Sequence, residues 1–545
     1  MKTFTIILLL LSFSGTAFSQ SYTWAAAKNI SCCSSVNGFA FDNSGNMFVA
    51  GTFYGDNYVG GNYITSTTPF KYNSFVAKTS KSGAVLWVKT IGSNESSTVQ
   101  RIAADGAGNV FLCGYYQADL VYDGNTLPCT GQNDAFILKI NNSGNLQWWD
   151  HTIGTGSEFF YDVAVNPAGD AYVTGKFAGS MNVQGVYYFG SPATVYDMCV
   201  IKYNGGTGAL SWARQTNSQF GGNSSGNRIA VDGLGNTYVL GNFGEGYTTF
   251  GDYTIYGTFN DYFVSRFDES SNFIYTSDVG DLPNGYICNI DADVAGNIYL
   301  AGNFGGFAPF TATISGTTVT SPGNAEIFIA KYNADYVMQW LRTGGGASTG
   351  DFANDLAVAN DGDAYIAFTS GATVTFGTVS ATTAHPGSNE IALVKYNNNG
   401  TEQWATVNGG KNYDAVSCLD IYQKKKFAGI AGIGGSAMYF DAIKVNKSNL
   451  YVARLADPQL RVVDDATEAV AISVYPNPAA GYVFIQGLPA NSHVEIFDMK
   501  ARKVFSEEAG GELLKVQTTD FPAGLYFVSV TGEGRHSVLK VVISE

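Results

Sequence analysis

Charge is scarce in this chain. Only 14% of its 545 residues are Asp, Glu, Lys or Arg, against roughly 25% in an ordinary globular protein. The basic side is the poorer: 30 Lys and Arg face 45 Asp and Glu, a formal charge of -15. Such a chain repels a polyphosphate, which removes DNA and RNA as partners. Histidine is rarer still, at His151, His385, His493 and His536. No H-E-x-x-H, G-x-S-x-G, P-loop, dinucleotide Gly motif or paired C-x-x-C is present, so metal-hydrolase, serine-hydrolase and nucleotide chemistry have no motif to rest on. Long apolar runs are also lacking. The one short run, from Phe4 to about Phe13, falls below the roughly 20 residues that span a bilayer. It follows Lys2 and precedes the small residues Ala17 and Ser19, which reads as a secretory signal over residues 1–19. Gln20, not a Cys, follows the expected cut, so no lipid anchor is expected there, and no transmembrane segment is expected later.

Seven Cys are too few for a disulfide-built scaffold in a chain of this length, though an exported protein permits bridges. Cys113 and Cys129 close a short loop and are the best pair. Cys32 and Cys33 are adjacent, the odd total leaves one thiol over, and Cys199 and Cys288 read equally well as buried free thiols.

Glycine and aromatics are abundant: 65 Gly and 14% Phe, Trp and Tyr within a 45% hydrophobic composition. That mixture excludes disorder and suits short strands joined by tight turns. The length alone implies three or four domains unless a repeat absorbs it. A repeat does. DNSGN (from Asp42), DGAGN (Asp105), NPAGD (Asn166), DGLGN (Asp232), DVAGN (Asp293) and NDGD (from Asn360) each lead into an apolar strand. A second strand then ends in a cation, at Lys78, Lys139, Lys202, Arg266, Lys331, Lys395 and Arg454. An aromatic follows at Trp87, Trp148, Trp212, Tyr275, Trp340 and Trp404, spaced 61 to 65 residues apart.

A unit of that length with several short strands and no helical period reads as one four-stranded blade of a β-propeller. Seven cation strands predict seven blades over residues 20–456. Arg454 has no Trp after it, whereas Trp24 stands one period before Trp87; the N-terminal strand is therefore expected to complete the last blade and close the ring.

The D-x-x-G-N turn also invites a calcium reading, but one carboxylate per turn is short of the oxygens a calcium site needs, and a tight hairpin requires these residues by itself. No cofactor is expected, with calcium the one ion considered. The seven cations are expected to bind turn carboxylates or backbone carbonyls. Five residues before each stands a second ring, Asn73, Asp134, Asp197, Asp261, Glu326, Glu390 and Asn449. Its acids, Asp134, Asp197, Asp261, Glu326 and Glu390, are expected either to line a channel mouth that takes a cation or polar ligand, or to pair within their own blades. Tyr58, Tyr63, Tyr187, Tyr247 and Tyr256, in the long segments between marker strands, suit stacking on sugars or a partner protein, or cross-strand packing.

The repeated D-x-x-G-N-x-Y/F-V/L-x-G, F-V/I-x-K and L-x-W elements resemble bacterial SBBP propeller repeats over about 435 residues. That resemblance implies a secreted or cell-surface propeller with no fixed activity. The seventh unit departs from it, with QKKKFAGIAG in place of the turn; Lys424, Lys425 and Lys426 read there as a solvated turn.

Composition changes near residue 461: 18 of the last 85 residues are charged, against 57 of the first 460. A linker over 457–470 precedes about seven short strand patterns over 471–545, predicting a small immunoglobulin-like β-sandwich. Tyr475, Pro476, Asn477 and Pro478, then Gly524 and Tyr526 in PAGLY, and the terminal KVVI with Lys540 resemble the type A sorting domain of type IX secretion substrates. That resemblance implies the outer-membrane translocon as partner and release or attachment at the cell surface. The chain is thus expected to be all-β, exported, and a surface binding or adhesion module for a glycan or protein. A glycan-active hydrolase or lyase using two carboxylates and a structural matrix protein are the alternatives.

Overall fold

The computed structural model describes residues 24–455 apart from 31–33, 69, 191–194, 220–221, 258–260, 283, 307–309, 322–324, 347–350, 424–426, 436, 442 and 447–449, and residues 473–544 apart from 476–478, 480, 487, 489–491, 500–501, 510–512 and 533–534. The signal segment, Cys32, Cys33, Lys424 to Lys426, Asn449, the linker and Pro476 to Pro478 lie outside the described residues. Two compact units make up the chain, Met1–Arg461 and Val462–Glu545. Every regular element among the described residues is a β-strand.

In the first unit, seven antiparallel quartets of strands follow one another. The first runs Ser35–Phe41, Met47–Tyr54, Tyr72–Thr79, Val85–Ser93. The first strands of the other six are Ser97–Ala104, Glu158–Val165, Ser224–Val231, Tyr286–Ala292, Phe352–Val358 and Asp414–Tyr422. Each first strand packs against the next, and the seventh against the first. The seventh sheet takes its fourth strand, Trp24–Asn29, from the N-terminus. Trp24 lies opposite Leu455 and Ala26 opposite Arg454, so the two ends of the unit are stitched together by ladder hydrogen bonds. The unusual seventh unit still forms its hairpin, with Tyr422 opposite Phe427.

The turn motif is explained by its own bonds. In DNSGN the Asp42 carboxylate accepts the N–H of Ser44 (2.8 Å) and Asn46 (2.9 Å), while the Asn46 amide returns to its other oxygen at 2.9 Å. Gly45 closes the turn at φ +80°, a conformation glycine adopts without strain. In the third and sixth sheets the carboxylate has moved to the fifth position, Asp170 and Asp363; Ala359 takes the first position of the sixth turn, accepting the N–H of Gly362. The repeated strand glycine has a different cause. Each first strand carries a bulge at one equivalent place, for example between Val99 and Arg101. The bulge drives a carbonyl against the second strand: a Cβ on Gly114 would lie 1.9 Å from the Thr98 oxygen, and one on Gly175 1.8 Å from that of Phe159.

Between the second and third strands of each unit lies a hairpin that docks on the preceding sheet. Gly246–Phe250 of the fourth unit pairs with the fourth strand of the third, Leu210–Gln219, and Gly60 of the first unit donates its N–H to Ile30, beyond the last strand of the seventh sheet. The Tyr-rich segments are thus structural seams whose outer edges carry exposed rings such as Tyr63 and Tyr256.

Cys113 and Cys129 are both free thiols, against the expected bridge. Cys113 is wholly buried opposite Ile137 in mid-sheet, while Cys129 follows the outer hairpin of the same unit, its thiol directed at the Gly131 carbonyl.

In the second unit, strands fall on the seven patterned segments and form one sheet of three and one of four, with Val483, Ile485, Val494, Ile496, Val528, Val530 and Val541 in a common apolar cluster.

Candidate functional site

The residues common to every sheet hold sheets together. Lys78 meets the Asp42 carboxylate at 2.9 Å, Lys202 meets Asp170 at 3.3 Å and Lys395 meets Asp363 at 2.8 Å. Each cation also stands over the aromatic that begins its second strand, at 4.8 Å for Lys139 on Phe111. From there Lys78, Lys139, Lys202, Arg266, Lys331 and Arg454 reach the next sheet's last turn. Lys139 donates to the Gly205 carbonyl at 2.8 Å, as does the Trp148 indole at 2.9 Å. Trp87, Trp212 and Trp340 repeat the indole bond, and Arg454 carries it from the seventh sheet to Lys81 of the first at 2.6 Å. Trp24 departs: it is buried and its indole N–H has no partner.

A cavity of about 450 Å³ is lined by all seven first strands and opens at the turn end. Of the residues that follow the bulges, Arg101, Asp162, Asn289 and Asp355 line it. Arg101 crosses from the second sheet to Asp355 of the sixth, at 3.0 and 3.4 Å, and Asn289 adds a bond at 2.7 Å. Asp291 and Asp420, one level higher, are pushed up to about 7 by burial, while backbone N–H groups pull the other way. Those N–H groups include the next sheet's: Val358 donates to Asp291 at 2.7 Å and Phe41 to Asp420 at 2.8 Å. The cavity walls are therefore seams as well, with their carboxylates already bonded. Sequence reading missed this belt; its signal is the polar residue four positions before the turn, as in RIAAD and RIAVD.

The acids expected at a channel mouth are not brought together there, and the expectation needs correcting. Asp134, Asp197, Asp261, Glu326 and Glu390 begin third strands, and two strands of each sheet separate them from the cavity. None of the five lines it. Buried Asp134 accepts the N–H of Thr130 (2.7 Å) and Gly131 (3.0 Å), Asp197 accepts that of Ser218 at 2.6 Å, and Glu390 meets His385 at 2.8 Å. Three sit beside a carboxyl group of the next sheet. Burial, and then Asp134, pushes Glu158 up to about 8. Burial, and then Asp351, pushes Glu326 up to about 7, and burial, with Glu390 a lesser contributor, raises Asp414 to about 6.

At the end opposite the turns, the third and fourth sheets meet. There a pocket of about 420 Å³ is lined by Tyr161, Lys176, Tyr196, Asn223, Ser224, Ser225, Asn227, Asn242, Phe243 and Gly244. Its ammonium is Lys176, 4.3 Å from the Tyr196 ring centre and 5.6 and 5.7 Å from those of Phe159 and Tyr161. Burial lowers its pKa. No described carboxylate pairs with it, and the pocket lining holds neither an acid nor a His. Tyr161 is the bulge residue of its strand and Asn227 that of the next, so the bulges that aim charges inward on one side aim these side chains outward here. At the Lys176 position the other sheets carry Thr52, Tyr115, Asn242, Asn303, Thr369 and Ile433. Such walls offer an ammonium, amides, hydroxyls and rings, with no acid–base pair among the lining residues.

Residues 473–544 match the family described as Secretion system C-terminal sorting domain. Tyr526 of that segment donates to the Pro522 carbonyl at 2.7 Å, tying down the PAGLY turn. The chain is 25% identical over 119 residues to an uncharacterized WD repeat-containing protein of Acanthamoeba polyphaga mimivirus, a match over 18% of this chain that spans 9% of that relative's length. Among solved structures it is similar to PorZ, described as an essential bacterial surface component of the type-IX secretion system of Porphyromonas gingivalis, at 10% identity over 95% of this chain and 100% of that one, with a TM-score of 0.15. A structural genomics protein of unknown function from Bacteroides thetaiotaomicron is similar at 9% identity over 80% of this chain and 98% of that one, with a TM-score of 0.20. At those scores the architecture rests on the strand pairing, and it is the sorting domain that identifies the chain as a secreted protein.

Proposed function

We propose that the first unit is a seven-bladed β-propeller of the SBBP type, exported by type IX secretion through a sandwich-like type A sorting domain, and that it acts at the cell surface as a binding or adhesion module. The acid ring plays no part in this reading. The observation that carries it is the pocket around Lys176: residues present in every sheet bind sheet to sheet, whereas a lysine at this position of the second strand occurs in the third sheet alone. The closing bonds from Arg454 to Lys81 and from Phe41 to Asp420 support a circular arrangement. A pocket lined by one ammonium, amides, hydroxyls and rings favours retention of a ligand over its conversion.

The test is to apply the full secreted chain to an array of glycans and extracellular proteins, with a reducing-end assay on the bound polysaccharides. Retention without turnover, abolished in Tyr196→Ala, is expected. Release of reducing ends would replace this reading with the glycan-active enzyme, and no retention on any probe would overturn it.

A further inference from the structure

Two kinds of hydrogen-bond donor in the Lys176 pocket have no acceptor among the described residues. The Lys176 ammonium has no carboxylate or carbonyl bonded to it among the described residues, and its surroundings are three aromatic rings. Asn242 uses its side-chain oxygen to accept from Asn227 at 2.8 Å, and its own amide N–H groups have no acceptor among the described residues. Asn227 in turn accepts from the Ser225 hydroxyl at 2.9 Å, so the amide orientations form one consistent chain. Lys176 and Asn242 occupy the equivalent position in neighbouring sheets, opposite Met198 and Tyr262 of their third strands, and both line the pocket. A ligand that satisfies both supplies two acceptor oxygens and one negative charge. The walls add a second requirement. Tyr161 and Tyr196 supply aromatic surface beside the Lys176 ammonium, and Ser225 adds a hydroxyl to the lining. A cavity of about 420 Å³ lies in the size range of small-ligand sites.

Resting on the binding reading above, we propose that this pocket binds an acidic sugar, a pyranose whose carboxylate bridges Lys176 and Asn242 while the ring packs on Tyr161 and Tyr196. The overall charge of -15 disfavours anions at long range, so recognition is short-ranged, made by this one desolvated ammonium.

The experiment measures, by calorimetry on the full secreted chain, binding of oligogalacturonate, oligoglucuronate and a sialylated oligosaccharide. Each is compared with its methyl ester and with a neutral and a sulfated oligosaccharide. At least one carboxylated probe is expected to bind, with its ester at least about tenfold weaker. Lys176→Met is expected to lose a similar factor, a charge-assisted bond being about twice as strong as a neutral one. Which carboxylated probe binds distinguishes a uronate from a sialate source. Equal binding of acid and ester, preference for the sulfated probe, or unchanged affinity in Lys176→Met with an unchanged melting temperature would each overturn the proposal while leaving a binding module in place. Absence of binding by every probe would overturn it too, and a protein ligand found on the array would then be the surviving form of the wider reading.

Discussion

A lysine that recurs once per sheet and a lysine that occurs once have opposite consequences. Lys139 is buried, stands over Phe111, and bonds to the Gly205 carbonyl of the next sheet at 2.8 Å and to the Asp105 carboxylate at 3.5 Å. Lys139→Met should lower stability by about 1–3 kcal/mol, because the Asp105 charge and the Gly205 oxygen lose a buried donor. Urea denaturation measures this, and ligand retention at the Lys176 pocket should be unchanged. Glu158 carries a second prediction. Its folded-state pKa of about 8 lies above the ordinary value of 4.5, so its protonated form is favoured by folding. The stability it contributes is complete below about pH 4.5 and is lost as the pH rises through 8. Glu326, Asp291, Asp414 and Asp420 are shifted in the same direction, so melting temperature should fall from pH 5 to pH 8. Glu158→Gln, which keeps a neutral donor beside Asp134, should melt higher than the parent at pH 8 and show a shallower slope. A variant that melts lower at pH 8 would contradict this assignment.

At the scale of elements, the bulge organises both ends of each sheet. One extra residue in the first strand places the next residue on the central cavity in the second, third, fifth and sixth sheets and presses a carbonyl on the second strand, where six sheets place glycine and the sixth places Phe368. Gly114→Ala should therefore cost roughly 1–3 kcal/mol, since the clash is with backbone that cannot rotate away. Hydrogen exchange should locate the loss in the second sheet. The outer hairpins are the other device: by pairing with the preceding sheet they cover edges that would otherwise be open to further strands.

At the scale of the whole molecule, one six-residue strand from the N-terminus completes the seventh sheet. Trp24–Asn29 supplies the last strand of the seventh sheet, and Arg454 and Asp420 bond across to the first. Deleting residues 20–29 should leave the Tyr451–Leu455 edge open and make unfolding less cooperative. Aggregation should rise, read as a concentration-dependent melting curve. An unchanged, single, concentration-independent transition would show that closure does not need this strand.

The strand order was legible because every turn, cation and aromatic recurs within a few residues of its partners, and local bonds such as Asp42 to Asn46 need nothing distant. The pairing of Trp24 with the chain's far end was legible for the same reason, as a missing member of a period. The role of the acid ring was not. Asp134 and Glu390 share a position in the repeat, but whether an equivalent position faces the axis depends on which strand of the sheet is innermost, and the period is silent on that. The charges that do meet across the cavity, Arg101 and Asp355, lie 254 residues apart, and their meeting requires the second and sixth sheets to face each other. Sequence alone thus determined the all-β repeat, its closing strand and the sorting domain, because those follow from local pattern. Only tertiary structure decided where Lys176, Tyr161, Tyr196 and Asn242 converge, because they come from four strands of two sheets and share a pocket solely through packing.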